Sequence, residues 1–428
     1  MVTLLLKSNS AIKRILIAFL FVLLLAGVCC EAPVKSQINR SKSKPERSKS
    51  ESSDKLPQVG ENPEVYSVGP READLFWRTA DATPTYIRYG RDPKALATIR
   101  TNVSTKNHYV HIDDLSSDAR YYYKTTETKD GGFKEFQTLP EPGGKLLFSF
   151  AVCTDIHLTN TKLDEFGSLY KESWAVFNGL IDELNGQPLD FLVVKGDVSD
   201  RSEAPDYQAF VEAAKRLQCK TYVVPGNHDK LRPSWGLFFN SFSPDSRSYY
   251  SIDHKNWHFV FLDSATEDNN TGLLGPDQLA WLQSDLGSHK DTPTMIFMHH
   301  LVRQTVFPKT DRFFIEDSPE FLKLLDDYAP AAVHSGHAHL NKATSYKDTD
   351  LIVTGAVITY PVQYNVYHVY EKGYVQTARR LQSFLDLAEA SKDVMSTTYS
   401  VRFGLKPQFV PPLVEGTLQD RSFMRKIK

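Results

Sequence analysis

Five short polar motifs, each directly behind an apolar run, constrain this chain more than any other feature. They are Asp155-Ile156-His157, Gly196-Asp197, Gly226-Asn227-His228-Asp229, Met298-His299-His300 and Gly336-His337-Ala338-His339. The runs that lead into them are Leu146 to Val152, Phe191 to Val194, Tyr222 to Val224, Met295 to Met298 and Ala331 to Val333. Runs of this length and composition read as buried strands, so each group of metal-type ligands falls where a strand gives way to a loop. In open α/β sheets, sites form at the carboxyl ends of strands. The pattern predicts a domain in which two carboxylates, one amide and four or five imidazoles meet at one rim.

Helical stripes between the motifs fit that domain. Trp174, Phe177, Leu180, Ile181 and Leu184 make one apolar face, and Tyr207, Phe210, Val211, Ala214 and Leu217 a second. Leu279, Leu282 and Leu286 follow Pro276, and Ser318-Pro319 opens a fourth helix carrying Phe321, Leu324, Leu325 and Tyr328. These faces are core, and the α/β region is placed at 145–380. Ahead of it, 58–140 reads as short alternating strands such as Leu75 to Thr79 and Tyr121 to Thr125, punctuated by turn residues. That spacing suggests a small β-sandwich of the immunoglobulin or fibronectin III kind. His108 and His111 fall on opposite faces of one of its strands, so they share no metal. Pro140-Glu141-Pro142-Gly143-Gly144 is the hinge between the two. Beyond Arg380, residues 381–428 read as a helix to Met395 and an irregular tail.

The amino terminus carries Lys7, Lys13 and Arg14, then the apolar run Ile15 to Val28, then Cys29-Cys30-Glu31-Ala32. A basic start, a short apolar core and small residues behind it match an export signal over 1–31, and the run is shorter than the roughly 20 residues of a spanning helix. An uncleaved anchor, tethering the chain to a membrane, is the alternative; either way the expected location is extracytoplasmic: secreted, periplasmic or anchored. Residues 32–57, rich in Ser, Lys, Arg and Glu, read as a disordered linker. The formal net charge of −2 gives no basic domain and so no nucleic acid partner. Four cysteines, Cys29, Cys30, Cys153 and Cys219, imply no disulfide framework. Cys153 and Cys219 are read as buried thiols, with a single bridge between them as the alternative.

The residue types point to a particular chemistry. Hydrolysis of a phosphate ester needs an activated water, neutralised non-bridging oxygens and a proton for the leaving group; two ions roughly 3.5–4 Å apart meet the first two needs. Mixed imidazole and carboxylate ligands suit iron, manganese or zinc. Asp197, alone at its strand end, is the natural carboxylate to bridge the ions. Cysteine is absent from every motif, which argues against a structural zinc cluster.

The order Asp-x-His, Gly-Asp, Gly-Asn-His-Asp, His, Gly-His-x-His, over roughly Leu146 to Tyr370, resembles the calcineurin-like metallophosphoesterase superfamily. The resemblance implies a two-sheet α/β/β/α sandwich as the catalytic fold, preceded here by the β-sandwich. It implies that Asp155, His157, Asp197 and His339 hold one metal, and that Asp197, Asn227, His299 and His337 hold a second. It makes His228 the general acid, positioned by Asp229. A β-domain ahead of the catalytic domain is similar to the purple acid phosphatases. Those enzymes, however, have Gly at the place of His157 and Tyr at the place of Asp200. The Asp-x-His form looks instead like the class III cyclic-nucleotide phosphodiesterases. The expected activity is therefore hydrolysis of a small phosphate mono- or diester by a hydroxide held between the metals. An acid-phosphatase-type monoesterase and a non-catalytic surface binding or adhesion protein are the rivals. His300 and Arg303 are candidate substrate contacts, as are loop residues of 230–242 and 301–314, among them Trp235, Phe238, Phe239, Lys309 and Arg312. Lys195 is read as reaching either solvent or a phosphate.

Overall fold

The computed structural model describes residues 63–126, 132–232, 234, 236, 247–267, 269–303 and 313–427. The expected export segment and linker, together with Trp235, Phe238, Phe239, Lys309 and Arg312, lie outside the described residues.

The first strands are antiparallel. β2 (Ala73–Gly90) is long enough to pair β1 (Glu64–Val68) at its start and β4 (Arg120–Thr125) at its end, with β3 (Ala97–Ile112) running beside it and β5 (Lys134–Gln137) beyond β4. One face of this sheet is filled by Leu75, Trp77, Ile87, Val110, Ile112, Tyr121, Tyr123 and Phe136. Within it His108 stacks on Trp77 between the hydroxyls of Thr79 and Thr85, while His111 pairs with Asp74.

Two six-stranded sheets follow. The first places β6 (Leu146–Cys153), β7 (Phe191–Lys195) and β8 (Lys220–Val224) side by side and parallel. The second is built on β9 (Tyr250–His254), β10 (Trp257–Phe261), β11 (Thr294–Phe297) and β12 (Ala332–Ser335), of which the last three are parallel. β14 (Thr349–Val353) continues it in parallel, and β13 (Lys342–Tyr346) closes it antiparallel. β15 (Gln363–Tyr370) and β16 (Gly373–Arg380) extend the first sheet antiparallel from β6. Alternation along each strand makes the layers. Phe148, Phe150 and Val152 of β6 face Phe259, Phe261 and Phe297 of the second sheet, whereas Ala151 and Cys153 face outward onto helices. Those helices are α1 (Ser173–Leu184) and α2 (Ala204–Ala214); α3 (Pro276–Ser288) and α4 (Ser318–Tyr328) cover the second sheet. The result is α/β/β/α, with the four helices on the stripes read from sequence.

The carboxyl-terminal part corrects two expectations. The helix begins later and runs longer than read: α5 spans Leu385–Phe403 and lays Ala388, Met395 and Tyr399 on the outer face of the first sheet. The tail is not irregular. After α6 (Val410–Glu415) and α7 (Leu418–Arg421), β17 (Ser422–Lys426) pairs along β16 and becomes the edge of the first sheet. Such long-range pairing has no local signature. Cys153 and Cys219 are both free, so the bridge is ruled out as well.

Charged groups lock the β-module onto this body. Glu72, buried, accepts from Arg379 at 2.6 Å and from the Thr377 hydroxyl at 2.8 Å. Arg380, fully buried, pairs with Glu389 of α5 at 2.9 Å and lies over the ring of Phe76.

Candidate metal centre

All five motifs emerge at the carboxyl ends of adjacent parallel strands: β6, β7 and β8 in one sheet, β11 and β12 in the other. Each chain must turn sharply there. Asp155, His157, Asp197, His337 and His339 all have left-handed backbones, with φ of 56°, 46°, 52°, 62° and 52°. Non-glycine residues in that region cost about 1 kcal/mol or more each and persist where surrounding structure holds them. Concentration of that strain on five of the motif side chains marks a site. The motif glycines allow close approach: a Cβ on Gly226 would lie 2.1 Å from Asp197 Oδ1, and one on Gly336 2.0 Å from the Thr154 hydroxyl.

The side chains fall into two groups. In the first, His339 Nε2 lies 3.1 Å and His157 Nε2 3.9 Å from Asp155 Oδ1. In the second, His299 Nε2 lies 3.3 Å from Asp197 Oδ2, 3.1 Å from His337 Nδ1 and 3.1 Å from Asn227 Oδ1. Asp197 stands between them, its Oδ2 also 3.5 Å from His157 Nε2. His337 and His339 both sit on left-handed turns, which send one imidazole to each group.

The electrostatics fit cations. Asp155 and Asp197 are both fully buried, and burial alone would raise their carboxyls. The neighbouring imidazoles override it, His339 for Asp155 and His299 with His228 for Asp197, and hold both below the usual carboxylate range. In return, although burial works against its charge, His299 is pushed up to about 9 by Asp197 and Asp155. His157 moves down, chiefly by burial, and its Nε2 is buried with no hydrogen-bond partner while facing both carboxylates. The proton on His299 thus stands where an ion with a mixed nitrogen–oxygen shell would stand.

Several surrounding groups orient these residues. His299 Nδ1 donates to the Lys195 carbonyl at 2.8 Å, and the Thr154 hydroxyl donates to Asp155 Oδ2 at 2.7 Å. His157 Nδ1 is 3.3 Å from Asp200 Oδ1. Four sequence expectations are corrected here. Asp229 does not position His228: its carboxylate turns away and accepts from the backbone N–H groups of Val198, Ser199 and Gly226 and from the Tyr207 hydroxyl. Asp229 therefore ties the β7 and β8 loops together, and burial, then the charge of Asp197, pushes it up to about 6. The group that holds His228 is Asp200, whose carbonyl accepts from Nδ1 at 2.7 Å. Lys195 reaches neither solvent nor a phosphate position; it is wholly buried, donates to the Ser335 carbonyl and the Thr354 hydroxyl, and burial moves it down to about 7. Arg303 faces away, donating to the Ser345 carbonyl and lying over Tyr346. His300 is fully buried with Nδ1 against the Ser264 hydroxyl, beneath His337 instead of open to a substrate.

Sequence reasoning missed Thr154, Thr359 and Tyr399, and noted Asp200 only as a departure from a tyrosine. Asp200, three residues beyond Asp197 in a Gly-Asp-x-x-Asp run, was findable; Tyr399 lies 60 residues past the last motif and carried no signal.

A family model described as calcineurin-like phosphoesterase matches residues 148–341. A 3',5'-cyclic-nucleotide phosphodiesterase of Nostoc sp. is 32% identical over 197 residues, covering 46% of this chain and 73% of the relative. A probable cyclic nucleotide phosphodiesterase of Coxiella burnetii is 27% identical over 206 residues, covering 46% of this chain and 79% of the relative. A glycerophosphodiester phosphodiesterase, GpdQ, of Enterobacter lignolyticus is 26% identical over 189 residues, covering 42% and 67%. The fold and site define a metal-dependent phosphoric ester hydrolase. The chain belongs to the calcineurin-like phosphoesterase family, whose cofactor is a pair of metal ions. A non-catalytic adhesion protein is thereby set aside.

Proposed function

We propose that the chain hydrolyses a small phosphate diester, with Asp155, His157, Asp197 and His339 holding one ion and Asp197, Asn227, His299 and His337 the other. The observation that carries this reading is the convergence of these seven side chains on two adjoining groups bridged by Asp197. Bound there, the ions supply Lewis acidity, which polarises a phosphoryl group and makes water nucleophilic at neutral pH. The protein does the rest. Asp197 Oδ1 accepts from the His228 backbone N–H at 2.9 Å, which fixes the start of that loop. His228 is one-third exposed at the rim, and its Nδ1–H is occupied by the Asp200 carbonyl. Its second proton, on Nε2, is therefore the one available to a leaving oxygen. Burial lowers the proton affinity of that ring, but the charges of Asp197 and Asp200 outweigh it and the net direction is upward, as a general acid needs. Relatives named for cyclic nucleotides and glycerophosphodiesters favour a diester over a monoester.

The test is the ratio of kcat/KM for bis-nitrophenyl phosphate to that for nitrophenyl phosphate, measured across pH with manganese, zinc and iron. Preference for the diester is expected; a monoester preference peaking in acid replaces the reading with an acid phosphatase. Export over 1–31 is part of the same proposal. The mass of the mature chain tests it: a chain beginning at Met1 or Val2 contradicts cleavage.

A further inference from the structure

The carboxyl-terminal helix reaches both halves of the metal centre from outside the motif set. Tyr399 and Phe403 stand four residues apart on one face near the end of α5. The Tyr399 hydroxyl lies 3.4 Å from His339 Nδ1. Thr359 Oγ1 lies 3.3 Å from the same nitrogen and 2.9 Å from Ser168 Oγ. One turn on, Phe403 packs against Phe313 with ring centroids 6.1 Å apart, and Phe313 lies 5.0 Å from the ring of His337. The approach of the helix is tight: a Cβ on Gly167 would sit 2.4 Å from the Met395 backbone nitrogen.

We propose that Tyr399 and Thr359 are positioning residues that fix the ring of His339 for the first ion. The inference rests on His339 being a ligand of that ion, as proposed above. An imidazole that ligates through Nε2 carries its hydrogen on Nδ1, and an acceptor there sets both tautomer and ring orientation. Two hydroxyl oxygens at Nδ1 supply that acceptor without adding charge, whereas the other first-group imidazole, His157, is faced by a carboxylate. Tyr399 is itself buried, so its hydroxyl is not offered to solvent. The same helix is tied through Glu389 to Arg380 of β16 at 2.9 Å and to Arg78 of β2 at 3.8 Å, so one element outside the motif set holds a group at the first half of the site.

The experiment uses the full chain, stripped by chelator and titrated with Mn²⁺ by calorimetry, with ion content checked by elemental analysis. Variants are Tyr399→Phe, Thr359→Val, the two combined, Thr359→Ser, and His339→Ala as reference. The wild type is expected to take two ions. The combined variant is expected to weaken one of the two sites about 10–100-fold. Its other site and the melting temperature of the stripped protein stay as in wild type, and Thr359→Ser keeps wild-type affinity. If the combined variant binds both ions like wild type while His339→Ala loses one, this inference fails and the ligand assignment stands. If His339→Ala also keeps both ions unchanged, the assignment itself fails and takes the inference with it. Loss of both ions together with a lowered melting temperature reduces the helix to packing and overturns the proposal too.

Discussion

Two of the buried charge clusters among the described residues are built on opposite principles. At the seam of the β-module, Glu72 meets Arg379 and Glu389 meets Arg380, so each carboxylate faces a guanidinium of the same chain. None of these four residues has a left-handed backbone. At the strand ends, the charge-bearing partners of Asp155 and Asp197 are imidazoles, and five of the side chains sit on strained turns. The first cluster is electrically closed by its own residues. The second is closed only by added positive charge. A buried charge cluster thus reads as structural or functional according to whether the chain neutralises it unaided.

The largest expected effect lies at the open cluster. Asp197→Asn should remove bound metal and lower kcat by about 10³-fold or more, since several kcal/mol of charge stabilisation go with the ions. The stripped protein should keep its melting temperature, because relief of a buried charge offsets the lost contacts; elemental analysis and calorimetry of the same sample check both. His228→Ala should leave two ions in place while slowing esters of poor leaving groups by about 10²–10⁴-fold, and those of nitrophenol far less. Equal slowing across leaving groups would deny His228 the acid's part.

The closed cluster should answer in stability and not in metal content. Glu72→Gln leaves Arg379 without its countercharge and should cost about 3–5 kcal/mol in chemical denaturation, with ion stoichiometry unchanged. The pH dependence follows from the direction of its shift. Burial would raise the Glu72 carboxyl, but Arg379 and then His368 hold it well below its ordinary value of 4.5. Its contribution is therefore fully present above that value and is lost as pH falls through the depressed one. The gap in stability between wild type and variant should narrow on acidification below it. The smallest effect is expected between the two extremes, at Asp229. Asp229→Asn keeps one acceptor oxygen for the loop N–H groups and should cost about 1–3 kcal/mol, without the leaving-group dependence of His228→Ala. Such dependence would restore Asp229 to the role that its adjacency to His228 suggested.

What was legible in sequence follows from what local pattern can encode. Alternation and apolar runs gave the strands, so the rim where Asp155, Asp197, Asn227, His299 and His337 meet could be foreseen with the helices behind it. Side-chain direction at the rim could not. His228 and Asp229 lie in a single 3₁₀ turn, His228–Lys230, where adjacency in sequence does not set a shared direction: Asp229 accepts from the N–H groups of the β7 loop, and the Asp200 carbonyl holds His228. Lys195 looked exposed because lysine seldom lies wholly buried, yet the Ser335 carbonyl at the end of β12 and the Thr354 hydroxyl just past β14 receive its ammonium. Tyr399 and β17 depend on contacts across long stretches of chain, and no local window reports those.

Anomalous diffraction from crystals grown with Mn²⁺ tests the central claim most directly. Two peaks roughly 3.5–4 Å apart are expected, one against Asp155, His157 and His339, the other against Asn227, His299 and His337, with Asp197 touching both. A single peak, or ions bound elsewhere with these side chains keeping their present contacts, would contradict the account.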